Sequence, residues 1–212
     1  GPVGGFTDAG KYIAQQLHDN GCEVRYMITN DTQDIHDRYR FNHAKYVVID
    51  NATVMVMSEN WGNTGIPKDS SYGNRGWGII VRNKDVANYF ATIFFDDWDP
   101  NSKDSYAYNS SHPIYGAPLD DFEMNYDIPS GNYAPQFNSS TFYGEFTVSP
   151  VLSPDTSLLE TSSVIGMINS AQTSVYIEQL SCKINWNYYS NVCDNLYLNA
   201  AIDAARRKCD VK

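Results

Sequence analysis

Nowhere in the 212 residues is there a run of eighteen or more apolar side chains, and the start lacks a charged-then-apolar leader. The sequence therefore predicts no transmembrane segment and no targeting peptide. Basic side chains are scarce: 15 Lys and Arg stand against 25 Asp and Glu, and the net charge of −10 disfavours broad electrostatic capture of nucleic acid. The four cysteines (Cys22, Cys182, Cys193, Cys209) are too few for a disulfide scaffold and lack the paired short spacing of a zinc site. No metal and no cofactor is expected. Cys182 and Cys193 flank a polar loop and could pair with each other.

What is present is enough apolar material, 42%, to bury one large or two small cores. Four Asn-x-Ser/Thr sequons, at Asn30, Asn51, Asn109 and Asn138, join scarce lysine and 16 tyrosines in pointing to an extracellular or cell-surface location. Charge is unevenly spread. Between Asp31 and Arg82 six acidic residues balance six basic ones, so the net negative charge lies outside that stretch. An anionic ligand would be repelled least there.

Helical spacing of Tyr12, Ile13 and Leu17 predicts a helix from Asp8, its cap, to Asn20, with Gly21 as a left-handed stop. Strands are expected at 22–28, 46–49, 53–57 and 77–81, with Asn51 and Ala52 as the turn between the second and third. Asn83 should cap a helix to Trp98, burying a stripe of Tyr89, Phe90, Ile93 and Phe94. Residues 100–146 lose periodicity and read as an irregular acidic loop or linker rich in Tyr, Asn and Ser. Regular structure is expected again as a strand at 146–148, a helix at 156–170, a strand at 174–180 and a helix at 196–208. Strands alternating with helices indicate an α/β fold with a sheet of mixed, mostly parallel strands flanked by helices. Two helix ends, Leu17 to Arg25 and Ala204 to Lys212, both run into Cys, an acid, Val and a base, as one repeat unit seen twice would.

The chemistry concentrates in residues 42–61. His43 and Lys45 are two apart on a strand and face one side, placing a nucleophilic imidazole beside a fixed cation. A hairpin is expected to return Ser58 and Asn60, again two apart, as neutral donors. Polar residues facing water from an edge strand, or a satisfied core histidine, are the plain alternatives. Leaving four such groups buried and unpaired would cost roughly 1–3 kcal/mol each.

The spacing His43-x-Lys45-x4-Asp50, followed by Ser58-x-Asn60, resembles the signature of the phospholipase D superfamily. The flanks Gly21 to Arg25 and Asn74 to Val81 are similar to those of that motif, and Pro150 to Glu178 to the start of a following repeat. On this resemblance, 1–99 are the second half of one repeat carrying the catalytic motif. Residues 147–212 are the first half of the next, which could pack with 1–99 as one domain. The resemblance implies phosphodiester hydrolysis or transfer without a metal. One histidine attacks phosphorus to give a phosphohistidine, a second protonates the leaving alcohol, and lysines and asparagines steady the charged oxygens. Asp50 would support the motif structurally. The substrate is a phospholipid, slightly preferred, or a nucleic acid. Two departures stand out. Met57 replaces a usual glycine, and Gly76 or its neighbours fall where many members carry a glutamate that orients the partner histidine. Only one His-x-Lys is present, so the second histidine must come from a second copy, as in a homodimer, or from a further segment. Without it the chain would be a catalytically incomplete binding or structural module. His36, Trp61, Arg75 and Glu178 are weaker candidates for lining the substrate; His18 and His112 read as surface residues.

Overall fold

The computed structural model describes residues 6–28, 38–39, 42–62, 64–67, 73–125, 135–159, 161–186 and 195–212. They fall into two units, Gly1–Thr141 and Phe142–Lys212.

The first unit opens with helix α1 (Asp8–Asp19), capped by Thr7, whose Oγ1 accepts the Gly10 N–H at 3.1 Å. The cap is therefore one residue earlier than expected, and Asp8 instead sits in the first turn beside Lys11. Gly21, at φ 86°, ends the helix as a left-handed residue with no Cβ to strain. Strand β1 is only Arg25–Met27.

Next come β2 (Tyr46–Ile49), β3 (Thr53–Met57), β4 (Gly78–Arg82) and helix α2 (Lys84–Trp98). The three strands form an antiparallel meander, with Tyr46 opposite Val56 and Met55 opposite Ile80. The expected mostly parallel sheet is thus corrected. Asp50 and Asn51, at φ 53° and 48°, both adopt the left-handed conformation, and Ala52 N–H returns to Ile49 O at 3.0 Å. That tight turn requires antiparallel neighbours. The parallel reading came from strands apolar on both faces, and they are so for another reason. One face, with Val54 fully buried, lies under α2, where Tyr46 meets Phe90 at 5.3 Å. The other face carries Val47, Ile49, Met55 and Ile80 and is partly open, Ile49 and Ile80 being about half exposed. Asn83 caps α2 with its Oδ1 on the N–H groups of Asp85 and Val86, as expected.

Residues 100–146 contain regular structure that their composition hides. A 3-10 turn (Pro100–Ser102) leads to β5 (Ser105–Ala107), which pairs antiparallel with β1. Tyr115 of this stretch packs: its ring, that of Tyr26 in β1 and that of Phe6 lie within 5.0–5.8 Å of one another.

In the second unit, helices α3 (Val164–Ser170) and α4 (Leu196–Arg206) bury Ile165, Ile168, Ala200, Ala204 and Cys209 together. Strands β6 (Ser174–Val175) and β7 (Asp210–Val211) form a short parallel pair. No strand forms at 146–148, turns rather than helix occupy 153–158, and the strand expected to reach 180 stops at Val175. α4 ends as α1 does. Arg207, Lys208 and Cys209 donate to Asp203, Ala205 and Ala204, just as Asn20, Gly21 and Cys22 donate to Gln16, His18 and Leu17. Lys208 takes the left-handed place of Gly21, at φ 74°. Cys22, Cys182 and Cys209 are free thiols; Cys193 and its expected pairing lie outside the described residues.

Candidate functional site

His43 and Lys45 lie in the extended lead-in to β2 rather than within it, and the ladder reaches them through Met57 N–H to Lys45 O at 3.0 Å. Side chains alternate along such a segment. Asn42, Ala44 and Tyr46 line a cavity of about 290 Å³ with Arg25, Asp97 and Trp98. The alternation therefore sends His43 and Lys45 together to the opposite side, the half-open face of the meander. His43 is exposed. Lys45 is half-buried and its Nζ donates to the His43 carbonyl at 2.8 Å, which keeps the ammonium beside the imidazole-bearing residue.

Past β3 the chain bends. Ser58 is tied to the entrance of β4 twice: its N–H donates to Trp77 O at 2.9 Å and its Oγ accepts the Trp77 N–H at 3.0 Å. Accepting that bond leaves the Ser58 hydroxyl proton free to donate. Asn60 is exposed, and its carbonyl accepts the Gly62 N–H in a tight loop. Ser58 and Asn60 thus follow the strand in a bent loop, not on the pleat that was expected to return them.

Asp50 stands in the hairpin turn, seven residues from His43. At about 3.3 Å per residue the two are roughly 20 Å apart, so they cannot share one phosphate. Trp61 is 73% exposed and its Nε1–H donates to the Met57 sulfur at 3.3 Å. Met57 lies opposite Lys45 across the ladder and so shares its face, where it holds the indole near the motif. Arg75 places its guanidinium 5.5 Å from the Phe137 ring centre. Glu178 is exposed beyond β6 in the second unit, and His36 lies outside the described residues. His112 accepts the Ile114 and Tyr115 N–H groups at Nδ1 and stacks on Tyr115, so its ring is bound into its own turn.

Two groups escaped sequence reasoning. Glu59 is half-buried, its Oε2 accepting the Asn74 Nδ2–H at 3.1 Å, and any side chain at Gly76 would collide with it. A carboxylate therefore occupies the space that Gly76 leaves open. The other is Arg38, which holds the approach to the motif. Its backbone and Nε donate to the fully buried Asp104, its Nη1 to Asp96 and its Nη2 to the Asp97 carbonyl at the end of α2. Asn42, one residue before His43, donates to Asp97 at 3.3 Å. Burial alone would raise the Asp104 carboxyl, but the hydrogen bonds from Arg38 and Ser102 prevail and hold it below the usual carboxylate range. Asp97 shifts the other way: burial raises it, and the Arg38 charge offsets this only in part. Burial pushes the Tyr46 phenol up to about 12, with help from the Asp97 charge. Partners 66 residues apart leave no spacing signal, so Arg38 and Asp104 could not be found from the sequence.

The exposed His43 with the Lys45 ammonium at its carbonyl fits a site of the phospholipase D superfamily, and a family-model match over the stretch that carries them supports that membership. The family model described as cardiolipin synthase, PLD-like domain, matches residues 3–98, from before α1 to the last residue of α2. No curated protein and no solved structure matches. Membership supports phosphodiester-related activity, at the level of the superfamily. Among the described residues no helix is long and apolar enough to cross a membrane.

Proposed function

We propose that the chain hydrolyses or transfers phosphodiesters through a phosphohistidine on His43, with a phospholipid as the slightly preferred substrate. What supports this is the Lys45 ammonium at the carbonyl of the exposed His43, 2.8 Å away. In the first step the imidazole attacks phosphorus, forming the N–P bond as the P–O bond to the leaving alcohol breaks. Lys45 and the free Ser58 hydroxyl donate to the non-bridging oxygens, where charge builds up. Asn60 is the further neutral donor, and Asp50 serves the hairpin turn. A second histidine protonates the leaving alcohol. It comes from a partner unit, a second copy of this chain or a further segment, seated on the apolar half-open face of the meander. Glu59 is the carboxylate available to orient that imidazole. No step calls for a metal.

The preference for a single headgroup over a polyanion rests on the net charge of −10. A labelled phosphodiester quenched in base is expected to leave an acid-labile phosphoryl adduct on the wild type, in EDTA, and none on His43→Ala. Folded wild type without any adduct refutes the proposal and leaves a non-catalytic binding module. Lipid headgroup release measured beside plasmid nicking separates phospholipase from nuclease.

A further inference from the structure

We infer that Asn51, Asn109 and Asn138 are acceptors of N-linked oligosaccharide, each with its carboxamide nitrogen kept out of the fold. All three head an Asn-x-Ser/Thr triplet and all three are exposed. Their settings differ: Asn51 is at the tip of the β2–β3 hairpin, Asn109 in the turn after β5 and Asn138 in an irregular stretch.

The second observation is that Nδ2 of each triplet asparagine is uncommitted, as it also is at Asn60, Asn83 and Asn88 but not at five other asparagines. Asn20, Asn42, Asn74, Asn101 and Asn195 all donate from Nδ2 to the protein, at 2.6–3.3 Å, and none of them has Ser or Thr two residues on. Among the described residues, no Nδ2 of the three triplet asparagines makes a hydrogen bond. Asn109 shows the division within one side chain: its Oδ1 accepts the N–H of Ser111, the hydroxyl residue of its own triplet, at 3.0 Å, while Nδ2 stays open. A glycan attached at Nδ2 therefore removes no bond from the structure. At Asn51 it also leaves the site clear, since the hairpin tip lies roughly 20 Å along the strand from His43.

The donor is a lipid-linked oligosaccharyl diphosphate. The carboxamide nitrogen bonds to C1 of the first sugar, the C1–O bond to the diphosphate breaks, the lipid diphosphate leaves with the electron pair, and one amide proton passes to solvent.

The full chain, preceded by a secretory leader, is translated with microsomes. The protease-protected product is treated with peptide N-glycosidase and mapped by mass spectrometry. Conversion of Asn51, Asn109 and Asn138 to aspartate is expected. One step of gel mobility should vanish for each of Asn51→Gln, Asn109→Gln and Asn138→Gln. Thr53→Ala, Ser111→Ala and Ser140→Ala should remove the same steps while leaving the asparagine in place. A protected chain with these three asparagines unconverted overturns the inference, and a chain that never enters the lumen counts equally against it. The phosphoryl adduct on His43 is read separately, so either result stands without the other.

Discussion

Asp104 links the motif approach to the end of α2, and replacing it measures how much that link stabilises. Its carboxylate is fully buried and accepts from the Arg38 backbone at 3.1 Å, Arg38 Nε at 2.9 Å and Ser102 Oγ at 2.8 Å. Removing one partner of a buried pair costs about 3–5 kcal/mol. The Arg38 side chain is 26% exposed and keeps Asp96 at 3.1 Å, so Asp104→Ala belongs at the low end, about 3 kcal/mol. Asp104→Asn keeps one acceptor oxygen but loses the charge and turns an NH2 towards an Arg38 donor, for about 2 kcal/mol. The pH dependence follows from the depressed carboxyl. Wild type holds the extra stability above the ordinary value of 3.8 and loses it as pH falls through the lower folded value. Urea unfolding followed by circular dichroism at pH 7 and at pH 3 should therefore show a gap to Asp104→Asn that shrinks in acid. A loss under about 0.5 kcal/mol for Asp104→Ala at pH 7, or a gap that stays constant in acid, refutes the reasoning.

Tyr46, raised to about 12, makes folding weaken as pH climbs from 10 towards 12, because the unfolded phenol ionises first; the loss is at most about 3 kcal/mol, and alkaline melts of Tyr46→Phe should lack it. Gly21→Ala forces a Cβ into φ 86° and should cost about 1 kcal/mol, whereas Lys208→Gly at φ 74° should add about the same; thermal melts of the two variants must move in opposite directions. Met57→Gly removes the sulfur that Trp61 donates to and opens the face beside Lys45. Phosphodiester turnover should rise severalfold at a stability cost of about 2–3 kcal/mol, and an unchanged kcat/KM speaks against Met57 limiting access.

Local chemistry made parts of the chain legible. Asn83 announced α2 because its side chain satisfies N–H groups two and three residues away, and Gly21 announced the end of α1 because only a residue without Cβ takes φ 86° freely. β5 stayed hidden because its pairing with β1 bridges some 80 residues, and short Ser-Tyr-Ala has no pattern of its own.

For the site, sequence by itself led to the expectation that an imidazole and an ammonium two residues apart on extended backbone face one side, since the pleat repeats every two residues. It also pointed to the superfamily that the match over residues 3–98 supports, because that spacing sits in a stretch with Asp50, Ser58 and Asn60. Only the tertiary structure decided that the sheet is antiparallel, that Met57 and Trp61 share the motif's surroundings, that Glu59 fills the space beside Gly76, and that Arg38 and Asp104 anchor the approach. Each of these depends on which distant segments meet, and such meetings are set by packing and hydrogen bonding across the fold.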